Sequence, residues 1–165
     1  MTISPITQAD IPACLAIYNT YIRNTTITFE EAPLTVADFT ARVEEILPKY
    51  PYLVGKEGED VLGYAYLAPF NPRSAYRYTA DLSIYLNAEQ TARGVGSVLY
   101  QEIEREAILR GYRMIVSLVT SENTRSARFH EKHGFTLAGE LPEVGFKMER
   151  WLGVRFYYKR IGTRG

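Results

Sequence analysis

Three features of the sequence predict a mixed α/β fold, with a mostly antiparallel central sheet flanked by helices. Alternating apolar runs of strand character are interspersed with segments of helical period. Two pairs of those runs are joined by short turn-forming stretches, so hairpins replace the long crossovers of an all-parallel sheet. Between them, residues Thr79 to Gly111 read as a strand, a turn carrying Gly94 and Gly96, and an apolar-periodic helix.

Taken in order, Thr2 to Ile6 is a short strand. Asp10 caps a helix whose Ile11, Leu15, Tyr18 and Ile22 share a face up to about Asn24, with Pro12 tolerated in its first turn. Thr25 to Glu31 is β-branched, and reads as a short strand, a loop over a site or a plain connector. Thr35-Val36-Ala37-Asp38 resembles a capping box, and Phe39, Val43, Ile46 and Leu47 carry a second helix to Pro48. Tyr52 to Lys56 and Val61 to Ala68 flank Glu57-Gly58-Glu59-Asp60 as a hairpin. Pro69 to Arg77 breaks all periodicity, and is either a connector or an arginine clamp for a carboxylate.

Tyr78 to Leu86 then alternates, with Leu82, Ile84 and Leu86 on one face and Asp81, Ser83 and Tyr85 on the other. Gly111 stops the following helix, and Met114 to Val119 is a buried strand. Asn123 caps a helix from Ser126 to His133, which Gly134 ends. Pro142 breaks the pattern, and Phe146 to Ile161 forms a last strand pair around a Trp151-Leu152-Gly153-Val154 turn.

At 165 residues the chain fits one domain, 1–165, with a sizeable core. Nineteen basic and nineteen acidic residues cancel, so the balance calls for neither nucleic acid nor an anionic membrane, and any anion site must be local. No apolar run approaches the ~20 residues of a membrane span. The amino terminus lacks the basic start and apolar core of a signal peptide, which predicts a cytoplasmic protein. The single Cys14 lies in a helical apolar pattern as an inert buried thiol, and two histidines with one cysteine make no metal site.

The turn at Gly94-Val95-Gly96-Ser97 leaves backbone N–H groups uncovered at a helix start, where they and the helix dipole favour an anion. A Gly-x-Gly turn that merely satisfies chain geometry is the alternative. A Walker loop is excluded because Ser97-Val98 stands where Lys-Ser/Thr is needed, and a dinucleotide fingerprint because Leu99 occupies its third glycine position.

Together with Asn123-Thr124-Arg125-Ser126 and the helix ending in Gly134-Phe135, this stretch resembles the GCN5-related N-acetyltransferase (GNAT) superfamily. Ile17-Tyr18-Asn19, Tyr64-Ala65, Val144-Gly145-Phe146-Lys147 and Trp151 are similar to its phosphinothricin and methionine sulfoximine acetyltransferase branch. One position departs: the signature begins with Thr91 rather than Arg or Gln, with Gln90 one place early.

The resemblance implies the GNAT fold and acetyl-CoA as co-substrate. Its pantetheine arm would meet main-chain groups of Ile84, Tyr85 and Leu86, and its pyrophosphate would rest on Ala92, Arg93, Gly94, Val95, Gly96 and Ser97. Asn123 would touch it near the thioester while capping its helix. A homodimer through the carboxyl-terminal strands is likewise implied.

An amine attacks a thioester only with its lone pair free, which calls for a general base. Asp81 is the candidate, at a position where the branch usually has glutamate; an ion-paired surface carboxylate is its other reading. A main-chain N–H near Tyr85 would serve the oxyanion. His130 is a possible acid, a substrate contact or a structural histidine. Tyr76, Arg77, Phe29 and Glu30 would frame the acceptor, with Arg77 pairing its carboxylate. The expected reaction is acetyl transfer to the α-amine of a small amino acid or analogue. Alternatives are a polyamine, aminoglycoside or protein amino terminus as acceptor, or a non-catalytic acyl-CoA-binding module.

Overall fold

The computed structural model describes residues 1–90 and 94–162. Among them, seven strands form one sheet: β1 (Thr2–Pro5), β2 (Tyr52–Glu57), β3 (Asp60–Pro69), β4 (Thr79–Leu86), β5 (Met114–Thr120), β6 (Thr136–Lys147) and β7 (Arg150–Arg160). Their spatial order is β1-β2-β3-β4-β5-β7-β6. Every neighbouring pair is antiparallel except β4 and β5, which the chain joins through a helical crossover. The helices are α1 (Ile11–Asn24), α2 (Val36–Ile46), α3 (Val95–Leu109) and α4 (Thr124–Lys132).

Alternation along the strands splits the core in two. Leu53, Ala65, Leu67, Leu82 and Ile115 pack with Leu99, Ile103 and Ala107 of α3 and Ala127 of α4. Tyr52, Val54 and Tyr64 pack on the opposite face with Cys14, Leu15, Tyr18 and Ile22 of α1 and Phe39 and Val43 of α2. The register Tyr64↔Tyr85, Tyr66↔Ser83 and Ala68↔Asp81 places Asp81 on the face that α1 and α2 cover.

Three local features differ from the sequence expectation. The helical start lies earlier than Asp10: Thr7 opens a short 3-10 turn, and the Asp10 carboxylate accepts the Thr7 N–H (2.8 Å) and hydroxyl (2.9 Å) and pairs with Lys56. Pro142 does not end a strand. It sits inside β6, where pairing with β7 skips from Leu141 to Gly145, and β6 is a sheet edge, so its missing N–H breaks no ladder. The last hairpin turns at Met148-Glu149, with φ of 53° and 60°, instead of at Trp151 to Val154, which belongs to β7. Two left-handed non-glycine residues give no sequence signal for a two-residue turn of this kind.

Thr25 to Glu31 is a loop, tied down at several points. Thr120 donates its hydroxyl to the Thr26 carbonyl (2.7 Å), and buried Lys147 donates to the Thr28 carbonyl (2.7 Å). The Thr26 hydroxyl donates to Glu122 (2.5 Å), itself held by a two-pronged bond from Arg150 (2.6 and 2.9 Å). Gly145 lies so close to the Phe29 ring that a Cβ there would come within 2.3 Å of it.

Candidate active site

The site arises from a splay in the sheet. β4 pairs with β3 along its whole length but with β5 only from Thr79 to Asp81, because β5 continues along β7 instead. Beyond Asp81 the two strands open into a cleft of about 280 Å³. It is lined by Leu82 to Leu86 from β4, Ser117 to Thr120 from β5, Gly94, Gly96 and Ser97 at the start of α3, and Asn123, Ser126 and His130 of α4.

Main-chain groups of Leu82 to Leu86 on this side have no partner strand, so the cleft offers a strand-like edge to an extended ligand carrying amides. One of its carbonyls is taken: Tyr21 donates its hydroxyl to Leu86 (2.7 Å). At the mouth, α3 starts without a side-chain cap, and Gly94 adopts φ of 75°, which leaves the first N–H groups of the helix to an external anion. Gly96 is buried where α3 approaches β4 and α4: a Cβ would lie 3.4 Å from both Leu86 and Phe129. Ala92 and Arg93, the remaining residues expected in this cradle, lie outside the described residues, as does Thr91.

Asp81 sits at the apex of the splay, the last β4 residue paired with β5. Burial pushes its carboxyl from 3.8 up to about 6. Tyr85 lines the cleft and packs against Tyr18 (5.0 Å), Tyr21 (5.3 Å) and Tyr64 (5.6 Å). Its hydroxyl is pushed well above 10 by burial, with Tyr66, Tyr18, Glu30 and Asp81 adding to the effect.

His130 is buried and fully partnered. Its Nδ1–H donates to the Ser126 carbonyl (2.7 Å), which fixes the tautomer, and the Ser117 hydroxyl donates to its Nε2 (2.8 Å). Burial lowers its pKa, with a smaller contribution from His133. Asn123 accepts the Ser126 N–H (3.1 Å), so it caps α4 while lining the cleft.

Tyr76 and Arg77 are not drawn into this cleft. Tyr76 packs edge-on against Phe70 (5.6 Å), and Arg77 donates to the Ser74 carbonyl (3.0 Å) with its guanidinium 4.6 Å above the Tyr78 ring. The arginine paired with Glu30 is Arg42, three residues after Phe39 on α2. Its neighbourhood with the apolar face of that helix was the available sequence signal. Ser117, whose pairing with His130 spans β5 and α4, left none. Among the described residues no three His, Cys, Asp or Glu side chains converge as metal ligands, and no helix is long and apolar enough to cross a membrane.

The sequence model of the acetyltransferase (GNAT) domain matches residues 3–153. Phosphinothricin N-acetyltransferase of Alcaligenes faecalis is 37% identical over 153 residues, covering 92% of this chain and 78% of that protein. L-methionine sulfoximine/L-methionine sulfone acetyltransferase of Pseudomonas paraeruginosa is 35% identical over 153 residues, covering 90% and 87%. The crystal structure of a GNAT superfamily phosphinothricin acetyltransferase from Sinorhizobium meliloti in complex with AcCoA superposes with a TM-score of 0.94 at 32% identity, covering 98% of this chain and 88% of the other. With the splayed strands, the glycine-led helix and a match over nearly its whole length, this chain belongs to the GNAT acetyltransferase family.

Proposed function

We propose that the chain, acting as one domain, transfers the acetyl group of acetyl-CoA to the α-amino group of a small L-amino acid or analogue of the methionine sulfone, methionine sulfoximine or phosphinothricin type. The observation that carries this reading is the cleft between β4 and β5 with the half-buried Asp81 carboxyl at the residue where the two strands part. Acetyl-CoA suits the residues present. The open edge at Ile84, Tyr85 and Leu86 matches the amides of a pantetheine arm, and the uncapped amides at Gly94, Val95, Gly96 and Ser97 match a pyrophosphate. Ala92 and Arg93 would complete that cradle. Bound there, acetyl-CoA supplies an activated acyl group.

Asp81 takes a proton from the acceptor ammonium, directly or through one water. With a pKa of about 6 it is ionised at neutral pH, yet far more basic than an ordinary aspartate. The free amine would attack the thioester carbonyl, and a β4 main-chain N–H near Tyr85 would stabilise the oxyanion, a contribution of roughly 3 kcal/mol for such donors. Its collapse would break the C–S bond, the thiolate leaving as thiol with the proton shed by the attacking nitrogen. Asn123 orients the thioester end of the cleft. His130 acts as a positioning residue: its fixed tautomer holds the Ser117 hydroxyl, and its lowered pKa disfavours the imidazolium needed for an acid. Phe29 and Glu30 bound the acceptor from the pinned loop, with Tyr76 and Arg77 farther out as an entry surface.

We further read the enzyme as a homodimer formed through the β6–β7 hairpin, where Leu141, Val144, Phe146 and Trp151 are exposed. A cytoplasmic location is in keeping with the single Cys14, which is buried and free. Acetyl-CoA-dependent thiol release tests the reading, with methionine sulfone, methionine sulfoximine and phosphinothricin set beside spermidine and an aminoglycoside. Turnover confined to the amino-acid group is expected. Turnover confined to the polyamine or aminoglycoside would overturn the acceptor assignment, and binding of CoA without any release would favour a non-catalytic module.

A further inference from the structure

On the face of the sheet that carries Asp81, a second cavity of about 280 Å³ opens beside β3, lined by Tyr18, Phe39, Arg42, Tyr52, Tyr64 and Tyr66. We propose that this groove is the side-chain subsite for the acceptor, and that it selects a neutral, oxygen-bearing tail such as a sulfone or sulfoximine over an anionic phosphinate. The inference rests on the acetyl-transfer reading above and adds to it a pocket and a selectivity.

Position comes first. Ala68 lines the groove and is the direct cross-strand partner of Asp81, while Tyr66 is the partner of Ser83 one pair along. Directly opposed residues of an antiparallel pair point to the same face about 5 Å apart, and diagonal neighbours stay within reach of long side chains. An amine held at Asp81 therefore has its side chain directed across the small Ala68 into the tyrosine-walled space.

The walls are donors. Tyr52 stacks on Tyr66 (4.6 Å) and Tyr64 (5.8 Å), and both Tyr52 and Tyr64 are almost wholly buried. No hydrogen bond to a described residue engages either hydroxyl, and neither oxygen is sealed from the groove. Burial, reinforced by the neighbouring phenols, raises both pKa values, so they remain protonated and can donate. Tyr66 is also raised, to about 12 by burial, but its hydroxyl is engaged with Ser83. Tyr52 and Tyr64 oxygens open to the groove leave hydrogen-bonding capacity for the oxygens of a ligand, and the flat rings accept an aliphatic stem.

Charge decides between tails. The cation of the groove, Arg42, is already paired with Glu30, and Glu45 lies on the same rim. Asp81 adds a carboxylate next to Ala68. Lys147, the nearby buried cation, donates to the Thr28 carbonyl and faces Glu31 and Glu30. An anionic phosphinate would thus meet more negative charge than positive, whereas a neutral sulfone would meet hydroxyl donors without that repulsion.

The test is steady-state thiol release with methionine sulfone, L-methionine and phosphinothricin, in wild type, Tyr64→Phe and the double variant Tyr52→Phe/Tyr64→Phe. Sites built to hydrogen bond a substrate discriminate strongly against analogues lacking the partner atoms, so wild type should favour the sulfone over both competitors by about tenfold or more in kcat/KM. In the double variant the sulfone-to-methionine ratio should fall to within about twofold of unity, through the acceptor KM, with the acetyl-CoA KM and Tm unchanged. A ratio preserved in the double variant, or phosphinothricin used as well as the sulfone, overturns the subsite while leaving acetyl transfer standing. Thiol release with none of the three overturns the acetyl-transfer reading and the subsite with it.

Discussion

Two titratable side chains of this site move in directions that proton linkage can expose. Asp81 has its carboxyl raised from 3.8 to about 6 by burial, so the fold disfavours its ionised form. Its contribution to stability is present below pH 4 and lost as pH rises through about 6, a difference of about 3 kcal/mol at most. Asp81→Asn is therefore expected to raise Tm at pH 8 and to leave it nearly unchanged at pH 4, even as activity falls. Thermal melts at the two pH values check this, and a variant less stable at pH 8 would contradict it. His130 runs the other way: its lowered pKa means that the unfolded chain binds a proton the folded chain refuses, and stability falls as pH drops below 6.5. Replacing it with Ala strands the buried Ser117 hydroxyl, at a cost of about 1–3 kcal/mol for an unsatisfied group plus the cavity, seen as a lower urea midpoint. The sequence names both residues as candidates. It cannot reveal that both His130 nitrogens are engaged, because Ser117 reaches it from a strand that the chain visits before Asn123.

At the scale of elements, the loop from Thr25 to Glu31 shows where sequence reading stops. Its β-branched composition fits a strand as well as a loop, and only contacts with β5, β6 and Glu122 decide in favour of the loop. Val144-Gly145-Phe146-Lys147 acquires a physical meaning there. Gly145 gives room to the Phe29 ring, and Lys147 holds the Thr28 carbonyl. Gly145→Ala should displace Phe29 and raise the acceptor KM about tenfold with the acetyl-CoA KM unchanged, the signature of a lost acceptor contact. Equal effects on both KM values would argue against the loop's role. By contrast, the capping box at Thr35 and the Asn123 cap follow from local chemistry, and both form, with Thr35 accepting the Asp38 N–H at 3.1 Å and Asn123 the Ser126 N–H at 3.1 Å. Arg77 and Arg42 mark the contrast between local and tertiary information. Proximity in sequence to β4 favours Arg77, whereas packing of α2 against α1 brings Arg42 to Glu30.

For the whole molecule, periodicity was enough to anticipate a mostly antiparallel sheet, since the hairpins and the strand-turn-helix unit are each coded within a few dozen residues. The splay between β4 and β5 was not, because it results from β5 following β7, a partner more than thirty residues later. Phe146 and Trp151, exposed and packed together at 5.0 Å on the final hairpin, belong to the surface through which the homodimer is proposed. Sedimentation should give a dimer for wild type and a monomer for Trp151→Glu; a wild-type monomer would contradict the homodimer. The central claim, acetyl transfer with Asp81 as base, is tested most directly by the pH dependence of acetyl-CoA-dependent thiol release with methionine sulfone. In wild type kcat/KM should rise through an apparent pKa near 6, and in Asp81→Asn that inflection should vanish, with the rate lowered by about 10²–10⁴-fold as for the loss of a general base. An Asp81→Asn enzyme that keeps both the wild-type rate and the inflection would remove Asp81 from the chemistry.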